Sequence, residues 1–156
     1  MVKAVLFDWN NTLVQFTWDD ELLEDGHRAA LRAIGRGVKT GLVANSWPDP
    51  ARLLRADVEA FGLADLLDVI VFSEEAGVSK PEPEIFLRAL EQLAVEPEDA
   101  VFVGDRLETD VRGAAQVGMT TVQALWFHAD DTPGIEPDFM AFTPMDVLNL
   151  VKRIAR

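Results

Sequence analysis

The sequence contains no cysteine and only two histidines, His27 and His128, which are separated by most of the chain. The absence of cysteine excludes a disulfide framework and a thiolate zinc site. Two isolated histidines do not make up the ligand set of a histidine-based metal centre, and we expect both to be solvated or to cap helices. Any metal ion bound by this chain is therefore expected to be held by carboxylates.

Basic residues are also scarce, since 14 Lys and Arg stand against 27 Asp and Glu and leave a net charge of -13. No run of Lys or Arg could follow a phosphate backbone, so nucleic acid is not expected as a partner. The apolar runs are about as long as a strand and fall well short of the ~18 residues that a membrane-spanning helix needs. The sequence does not open on a basic segment followed by an apolar stretch. These features predict a cytoplasmic protein with no membrane partner.

The 156 residues are 49% hydrophobic, which predicts a single compact domain over residues 1–156. Apolar runs predict strands at residues 2–7, 38–44, 67–72, 100–103 and 120–125. Apolar residues at helical spacing predict helices at residues 18–34, 50–61, 85–93 and 108–117 and a last helix from residues 143–146 onward, with a polar loop at 73–83. This alternation predicts a three-layer α/β fold, a Rossmann-like, doubly wound parallel sheet with helices on both faces.

Charged side chains follow several of the predicted strands, at the points where the strands end. Asp8 follows the first strand, Lys80 lies in the loop after the third, and Asp105 and Asp110 follow the fourth. Taken singly, each could cap a turn or helix or remain solvated in a loop. Ligands in open parallel sheets bind at the carboxyl ends of the strands, so the four residues together predict a site at this edge.

Three motifs resemble those of the haloacid dehalogenase-like hydrolase superfamily. They are Phe-Asp-Trp-Asn-Asn-Thr-Leu at residues 7–13, Gly-Val-Ser-Lys-Pro-Glu-Pro-Glu-Ile-Phe at 77–86 and Val-Phe-Val-Gly-Asp-Arg-Leu-Glu-Thr-Asp-Val at 101–111. Their order and strand context agree with a core like that of subfamily I of this superfamily. Residues 13–37 are long enough for one helix and its loops, which predicts a short helical insert in place of a cap.

The resemblance implies a magnesium-dependent phosphatase that works through an aspartyl-phosphate on Asp8. It implies a Mg²⁺ site formed by Asp8, the main-chain carbonyl of Asn10, Asp105 and Asp110. Lys80 would bridge the nucleophile and the phosphate, and Asp110 would orient Lys80 or a metal-bound water. The phosphate itself would be bound by Lys80 and by two residues after the second strand, Asn45 and Ser46.

Two residues depart from the pattern that the resemblance implies. Asn10 stands where family phosphatases place a second aspartate, which protonates the leaving group and later deprotonates the attacking water. Losing such a general acid/base typically lowers the rate by about 10²- to 10⁴-fold. Ala44 stands where the family places a Ser or Thr whose hydroxyl donates a hydrogen bond to phosphate, and Ser46 is a candidate substitute. The lost hydrogen bond is worth roughly 1.5 to 3 kcal/mol. We therefore predict a slow enzyme that favours acyl and aryl phosphates, because their leaving groups need little protonation.

The sequence is also compatible with other functions. A catalytically degenerate binding or assembly protein would also account for Asn10 and Ala44. A dehalogenase or phosphonatase is a less favoured reading, because those relatives lack the second aspartate but use a cap. Without a cap the site would be open, which predicts a large phosphorylated substrate or closure by another subunit of a homo-oligomer. Trp9, Trp47 and Trp126 either pack under loops, which we favour, or line the mouth of the site.

Overall fold

The computed structural model describes residues 1–16, 21–22 and 25–154. The strands, in chain order, are β1 (Ala4–Phe7), β2 (Gln15–Phe16), β3 (Glu21–Leu22), β4 (Lys39–Ala44), β5 (Val69–Phe72), β6 (Ala100–Gly104), β7 (Thr120–Ala124) and β8 (Phe139–Ala141). The α-helices are α1 (Asp25–Gly35), α2 (Ala51–Ala60), α3 (Ser73–Ala76), α4 (Pro83–Leu93), α5 (Gly113–Gln116) and α6 (Pro144–Ile154). A π-helix spans Leu107–Arg112, and 3₁₀ turns lie at Ala64–Leu66 and Pro97–Asp99. None of the helices in these ranges is long and apolar enough to cross a membrane.

Six strands form one parallel sheet in the order β5-β4-β1-β6-β7-β8. From β1 the chain builds outward through β4 and β5, then returns to the other side of β1 and builds outward through β6, β7 and β8. The strand order therefore reverses at β1, and ligands of such sheets bind at this point, at the carboxyl ends of the strands. The predicted doubly wound parallel α/β sheet is confirmed.

Alternate residues of the central strand pack into two different hydrophobic layers. Val5 and Phe7 of β1 join a core cluster with Leu31 of α1, Leu54 of α2 and Val151 of α6. These three helices cover one face of the sheet. The two layers follow from the pleat of a strand, since neighbouring side chains point to opposite faces.

The second layer covers the opposite face. Ala4 and Leu6 of β1 pack in a cluster with Phe86 and Leu90 of α4 and Ala114 of α5. The strand residues on both faces are buried, which is why β1, β4 and β6 are apolar along almost their whole length. With both faces covered, the ends of the strands are the places where polar side chains can meet a ligand.

The predicted segments 18–34 and 73–83 differ from the structure, and one observed strand was not predicted. Among the described residues of the helix predicted at 18–34, those from Asp25 onward form α1, whereas Glu21–Leu22 form β3, which pairs antiparallel with β2. Residues 18–20 and 23–24 of this segment lie outside the described residues. The loop predicted at 73–83 begins with the short helix α3. The strand β8 was not predicted, because it has three residues and two of them are exposed, so it lacks the buried apolar run by which the other strands are recognised.

The helix predicted at 108–117 is in fact two elements. A π-helix at Leu107–Arg112 runs into the four-residue α5. The wide turn shows in the main chain, where the N–H groups of both Asp110 and Val111 donate to the carbonyl of Arg106, at 3.0 and 3.2 Å. Apolar spacing alone does not distinguish a π-helix from an α-helix, and π-turns occur frequently at functional sites.

Candidate active site

The side chains of Asp8 and Lys80 meet at the carboxyl ends of the central strands. Asp8 directly follows β1, and its main-chain N–H donates to the carbonyl of Val103 in β6 at 2.9 Å, which fixes it between the two strands. Lys80 lies in the turn before α4, and its Nζ donates to Asp8 Oδ1 at 2.7 Å and to Asp110 Oδ1 at 2.6 Å. Residues separated by 72 and 30 positions in sequence are thus joined by one ammonium group.

Lys80 is only 4% exposed, and its charge depends on these two carboxylates. Burial by itself would lower the pKa of Lys80, because it disfavours the charged form. The charges of Asp110 and Asp8 and their hydrogen bonds outweigh burial and raise the pKa to about 12. Lys80 is therefore a fixed cation at neutral pH and not a proton donor or acceptor.

The π-helix and Gly104 place Asp110 against Lys80. A Cβ atom on Gly104 would overlap the Asp110 carboxylate, so only glycine leaves room at this position. Asp110 Oδ2 accepts a hydrogen bond from the Arg106 main-chain N–H at 3.1 Å. At the start of the π-helix, the Leu107 N–H donates to Asp130 Oδ2 at 2.8 Å, which anchors this turn to the loop after β7.

Asp105 completes a group of three buried carboxylates. Asp8, Asp105 and Asp110 each offer an oxygen, and these atoms lie within 4.8 Å of one another. Asp105 is 1% exposed, and its Oδ1 has no hydrogen-bond partner within the described residues. Burial, and then the neighbouring carboxylates Asp8 and Asp110, raise the pKa of Asp105; burial also raises the pKa of Asp110.

The donor set of this group fits Mg²⁺. Mg²⁺ is a hard cation that takes oxygen ligands and is typically held in proteins by one or two carboxylates together with water and substrate oxygens. A buried carboxylate oxygen without a partner is costly, and a cation would satisfy it. The crowding of three acids around one lysine leaves excess negative charge, which is a second reason why a divalent cation fits here.

Asn10 lies at the side of the same cleft. It is partly buried, its Oδ1 is enclosed, and that oxygen accepts no hydrogen bond from the part of the chain that the structure describes. The Asn11 N–H donates to the Val14 carbonyl at 2.7 Å, and the N–H groups of Thr12 and Leu13 donate to Trp9, so this turn is tightly closed. Asn10 is therefore held at the cleft, but its amide cannot transfer a proton at neutral pH.

Asn45 and Ser46, predicted to bind substrate, make contacts within the protein. Asn45 Oδ1 accepts from the Lys80 N–H at 2.8 Å and its Nδ2 donates to the Lys80 carbonyl at 3.1 Å, so the Asn45 amide holds the lysine loop in place. The Ser46 hydroxyl accepts from the Glu74 N–H at 3.4 Å, at the start of α3. Asn45 also lines the cleft, whereas Ser46 is not among its lining residues. Their substrate-binding roles stay predictions, and buried Ala44 brings no hydroxyl.

The cleft has a volume of about 180 Å³ and includes residues that the sequence did not single out. Its lining residues are Asp8, Asn10, Asn11, Asn45, Trp47, Pro48, Lys80, Arg106 and Thr109. Arg106 and Thr109 belong to the motif that contains Asp105 and Asp110. The sequence signal that could have found them is their position shortly after the end of β6.

The aromatic residues divide between packing and the cleft. Trp9 is buried, and Trp126 Nε1 donates to the Thr12 carbonyl at 2.9 Å, so these two pack under loops. Trp47 is 69% exposed and lines the cleft.

The expectation that His27 is solvated or caps a helix is wrong, because its ring is buried. The ring stacks on Phe127, with 4.9 Å between the ring centroids, and lies edge-on to Trp126, with 5.6 Å between the centroids.

Comparison with known proteins identifies the family of this chain. A family model described as haloacid dehalogenase-like hydrolase matches residues 15–118, which is more than half of the chain. The chain belongs to the haloacid dehalogenase-like hydrolases. The match begins after Asp8, so the assignment of Asp8 to the site depends on its geometry beside Lys80 and Asp105.

Phosphatases are among the relatives of this haloacid dehalogenase-like chain. It is 38% identical over 123 residues to the glyceraldehyde 3-phosphate phosphatase of Methanopyrus kandleri, a match that covers 76% of this chain and 49% of the relative. It is 40% identical over 91 residues to the phosphoserine phosphatase of Thermus thermophilus, covering 58% of this chain and 34% of the relative. The chain thus spans about half the length, or less, of these relatives.

Solved structures show the same fold. A phosphatase of this superfamily from Thermococcus onnurineus superposes with a TM-score of 0.74 at 31% identity and covers 84% of this chain and 59% of that one. A 2-haloacid dehalogenase from Pseudomonas syringae superposes with a TM-score of 0.84, covering 99% of this chain and 100% of that one. Its identity is 17%, so this second likeness concerns the fold alone.

Proposed function

We propose that this chain is a magnesium-dependent phosphatase that hydrolyses phosphate monoesters through an aspartyl-phosphate on Asp8. The observation that carries the proposal is the buried group in which Lys80 Nζ lies 2.7 Å from Asp8 and 2.6 Å from Asp110, beside the enclosed Oδ1 of Asp105. Relatives named as phosphatases support the reaction class. Because the chain matches only about half of the first of them, the activity of the whole protein is part of the proposal.

In the first step, an Asp8 oxygen attacks phosphorus while the bond from phosphorus to the leaving-group oxygen breaks. The leaving group departs with the electron pair of that bond. Asp8, the main-chain carbonyl of Asn10, Asp105 and Asp110 would hold Mg²⁺, whose positive charge would offset the repulsion between the carboxylate and the phosphate. Lys80 orients Asp8 through its 2.7 Å hydrogen bond and adds a second positive charge.

Asn10 determines which leaving groups depart readily. An aspartate at this position would protonate the leaving oxygen, and an amide cannot. Leaving groups that are stable as anions, such as phenolates and carboxylates, should depart without help, whereas alkoxides should not. In the second step water attacks phosphorus, releasing inorganic phosphate and restoring Asp8. Without a general base at residue 10 this step is slow, so the phosphoenzyme is expected to accumulate.

The test is magnesium-dependent hydrolysis of 4-nitrophenyl phosphate by the purified chain, with Asp8→Asn and Asn10→Asp variants measured in parallel. We expect slow release of nitrophenol that requires both Mg²⁺ and Asp8, and faster turnover in Asn10→Asp. Activity that survives Asp8→Asn would contradict the covalent mechanism. Chelation of Mg²⁺ should abolish turnover in every active variant.

A contrasting function is a binding or assembly protein with a degenerate site. Asn10 and Ala44 favour it, because both replace groups that a phosphatase of this family uses. Inactivity of both the wild type and Asn10→Asp would support it, since restoring the acid would then have found no working site. We further propose one domain with residues 13–37 in place of a cap, which leaves the cleft open to a large phosphorylated substrate or to a second subunit.

A further inference from the structure

The mouth of the cleft carries two planar side chains that the phosphatase mechanism does not use. Trp47 and Arg106 both line the cleft, together with the charged residues Asp8 and Lys80. Lys80 is engaged by two carboxylates, whereas Arg106 is exposed and makes no ion pair within the described residues. An indole and a guanidinium are both groups that stack on planar rings. The cleft therefore combines a charged site for phosphate with flat surfaces next to it.

Trp47 is exposed although its main chain is fixed on both sides. Its N–H donates to the Asn45 carbonyl at 3.0 Å, and the preceding N–H, of Ser46, donates to Ser73 Oγ at 2.7 Å. After the turn, the Ala51 N–H donates to Glu74 Oε2 at 2.9 Å. An indole that is 69% exposed leaves a large apolar area in water, and a ligand that covered it would gain the corresponding hydrophobic free energy. The other two described tryptophans, Trp9 and Trp126, pack under loops.

Asn10 points independently to the same class of ligand. Because it cannot protonate a leaving oxygen, the substrates that react well are those whose leaving group is stable as an anion. Aryl phosphates meet this requirement, and their ring is the part of the substrate that would project from the phosphate toward the mouth. The chain carries a net charge of -13, so an anionic substituent on that ring would be repelled unless a local cation such as Arg106 compensated it.

We propose that Trp47 and Arg106 form a leaving-group subsite for aryl phosphates that carry a second anionic group on the ring. The proposal rests on the phosphatase function proposed above. Trp47 stacks on the ring, and Arg106 pairs with the substituent. When the P–O bond breaks, the phenolate leaves with the electron pair and takes its proton from solvent, while phosphorus is transferred to Asp8.

The role of Trp47 is tested by kcat/KM for phenyl phosphate and for acetyl phosphate, which has no ring. Trp47→Ala should lower the ratio of the two values roughly 3- to 10-fold, mainly through KM for phenyl phosphate. The control is Phe142→Ala, because Phe142 is similarly exposed, at 65%, and does not line the cleft; its ratio should equal that of the wild type. A Trp47→Ala ratio within twofold of the wild type would overturn the stacking role.

The role of Arg106 is tested with 4-carboxyphenyl phosphate against phenyl phosphate. Arg106→Gln should reduce the preference for the carboxylated substrate roughly 2- to 5-fold, as expected of an exposed charge pair. Arg153→Gln removes an exposed arginine on α6 and should leave the preference intact. An unchanged preference in Arg106→Gln would overturn the anionic part of the proposal.

Binding measurements separate failure of the subsite from failure of the phosphatase function. If neither phenyl nor acetyl phosphate is hydrolysed, even by Asn10→Asp, calorimetry with phenylphosphonate and methylphosphonate in the presence of Mg²⁺ decides the matter. Tighter binding of phenylphosphonate that Trp47→Ala removes would support the subsite without catalysis. Equal affinities for the two phosphonates, or no binding of phenylphosphonate, would overturn it.

Discussion

Two sets of residues in and around the cleft differ in what their polar groups contact. In the first set, the charged side, Lys80 donates short hydrogen bonds to Asp8 and Asp110, and Asp105 offers a carboxylate oxygen within 4.8 Å of theirs. In the second set, the neutral side, Asn10 and Ala44 stand where the family resemblance implies an aspartate and a hydroxyl residue, and Asn45 is hydrogen-bonded to the main chain of Lys80. Under the proposed mechanism, nucleophile activation depends on the charged side and proton transfer on the neutral side, so the two functions can be tested separately.

The largest expected effect comes from restoring the acid to the neutral side. Asn10→Asp should raise kcat/KM for an alkyl phosphate such as glycerol phosphate by about 10²- to 10⁴-fold, and should raise the value for 4-nitrophenyl phosphate much less. Steady-state kinetics on both substrates measures this. Equal gains on the two substrates would show that Asn10 does not limit protonation of the leaving group.

Removing the cation from the charged side should have the next largest effect. In Lys80→Met, buried Asp8 and Asp110 lose their ammonium partner, and loss of one member of a buried ion pair typically lowers the free energy of unfolding by about 3 to 5 kcal/mol. Urea unfolding in EDTA measures the loss, with Lys152→Met, at an exposed position of α6, as the control for a surface lysine. A loss of unfolding free energy below about 1 kcal/mol would contradict the account. Added Mg²⁺ should restore part of the lost stability.

A pH dependence should also distinguish the charged side. Burial raises the pKa of Asp105 and Asp110 above the usual carboxylate value near 4, so the folded protein binds their protons more tightly than the unfolded chain does. The stability that these two groups contribute is fully present below the carboxylate pKa of the unfolded chain, near 4, and is lost as the pH rises through their raised pKa values in the folded protein. In EDTA, the fall in unfolding free energy with pH should be steeper for the wild type than for Asp105→Asn. Identical slopes of unfolding free energy against pH in the two proteins would contradict the raised pKa of Asp105.

The smallest effect concerns the position of Asp110. In Gly104→Ala the new methyl group overlaps the Asp110 carboxylate, and such overpacking typically lowers the free energy of unfolding by about 1 to 3 kcal/mol. Affinity for Mg²⁺, measured by calorimetry, should fall as well. Gly26→Ala is the matched control, because no atom of the described residues, apart from the adjacent residues and the backbone of its own helix, lies within 4 Å of the added Cβ. Unchanged Mg²⁺ affinity in Gly104→Ala would show that Asp110 is not needed at its observed position.

Much of the charged side could be predicted from the sequence. Buried parallel strands are apolar along their length, so the end of β1 at Asp8 and the end of β6 before Asp105 are visible as breaks in hydrophobicity. Parallel strands bring such ends to one edge. The same reasoning placed Lys80 at that edge, and the structure brings it to Asp8.

Other features of the site could not be predicted, because they depend on local main-chain geometry or on contacts between segments that are distant in the sequence. The π-turn that presents Asp110 has the same apolar spacing as an α-helix. The hydrogen bond from Asn45 to the Lys80 carbonyl joins residues that are 35 positions apart in the sequence. His27 is buried because Phe127 and Trp126, about a hundred residues later, cover its ring. Arg106 lines the cleft from the extended residue before the π-helix, and Thr109 lines it from within the π-helix. The nearby strand end marks this loop, but residue type and spacing do not reveal which of its residues reach the cleft.

The most direct test of the account is the mass of the intact protein after incubation with 4-nitrophenyl phosphate and Mg²⁺. The account predicts a phosphoryl adduct on Asp8 that persists in the wild type, is absent from Asp8→Asn and is short-lived in Asn10→Asp. Wild-type protein that releases nitrophenol without any adduct, or that carries the adduct on a residue other than Asp8, would contradict it.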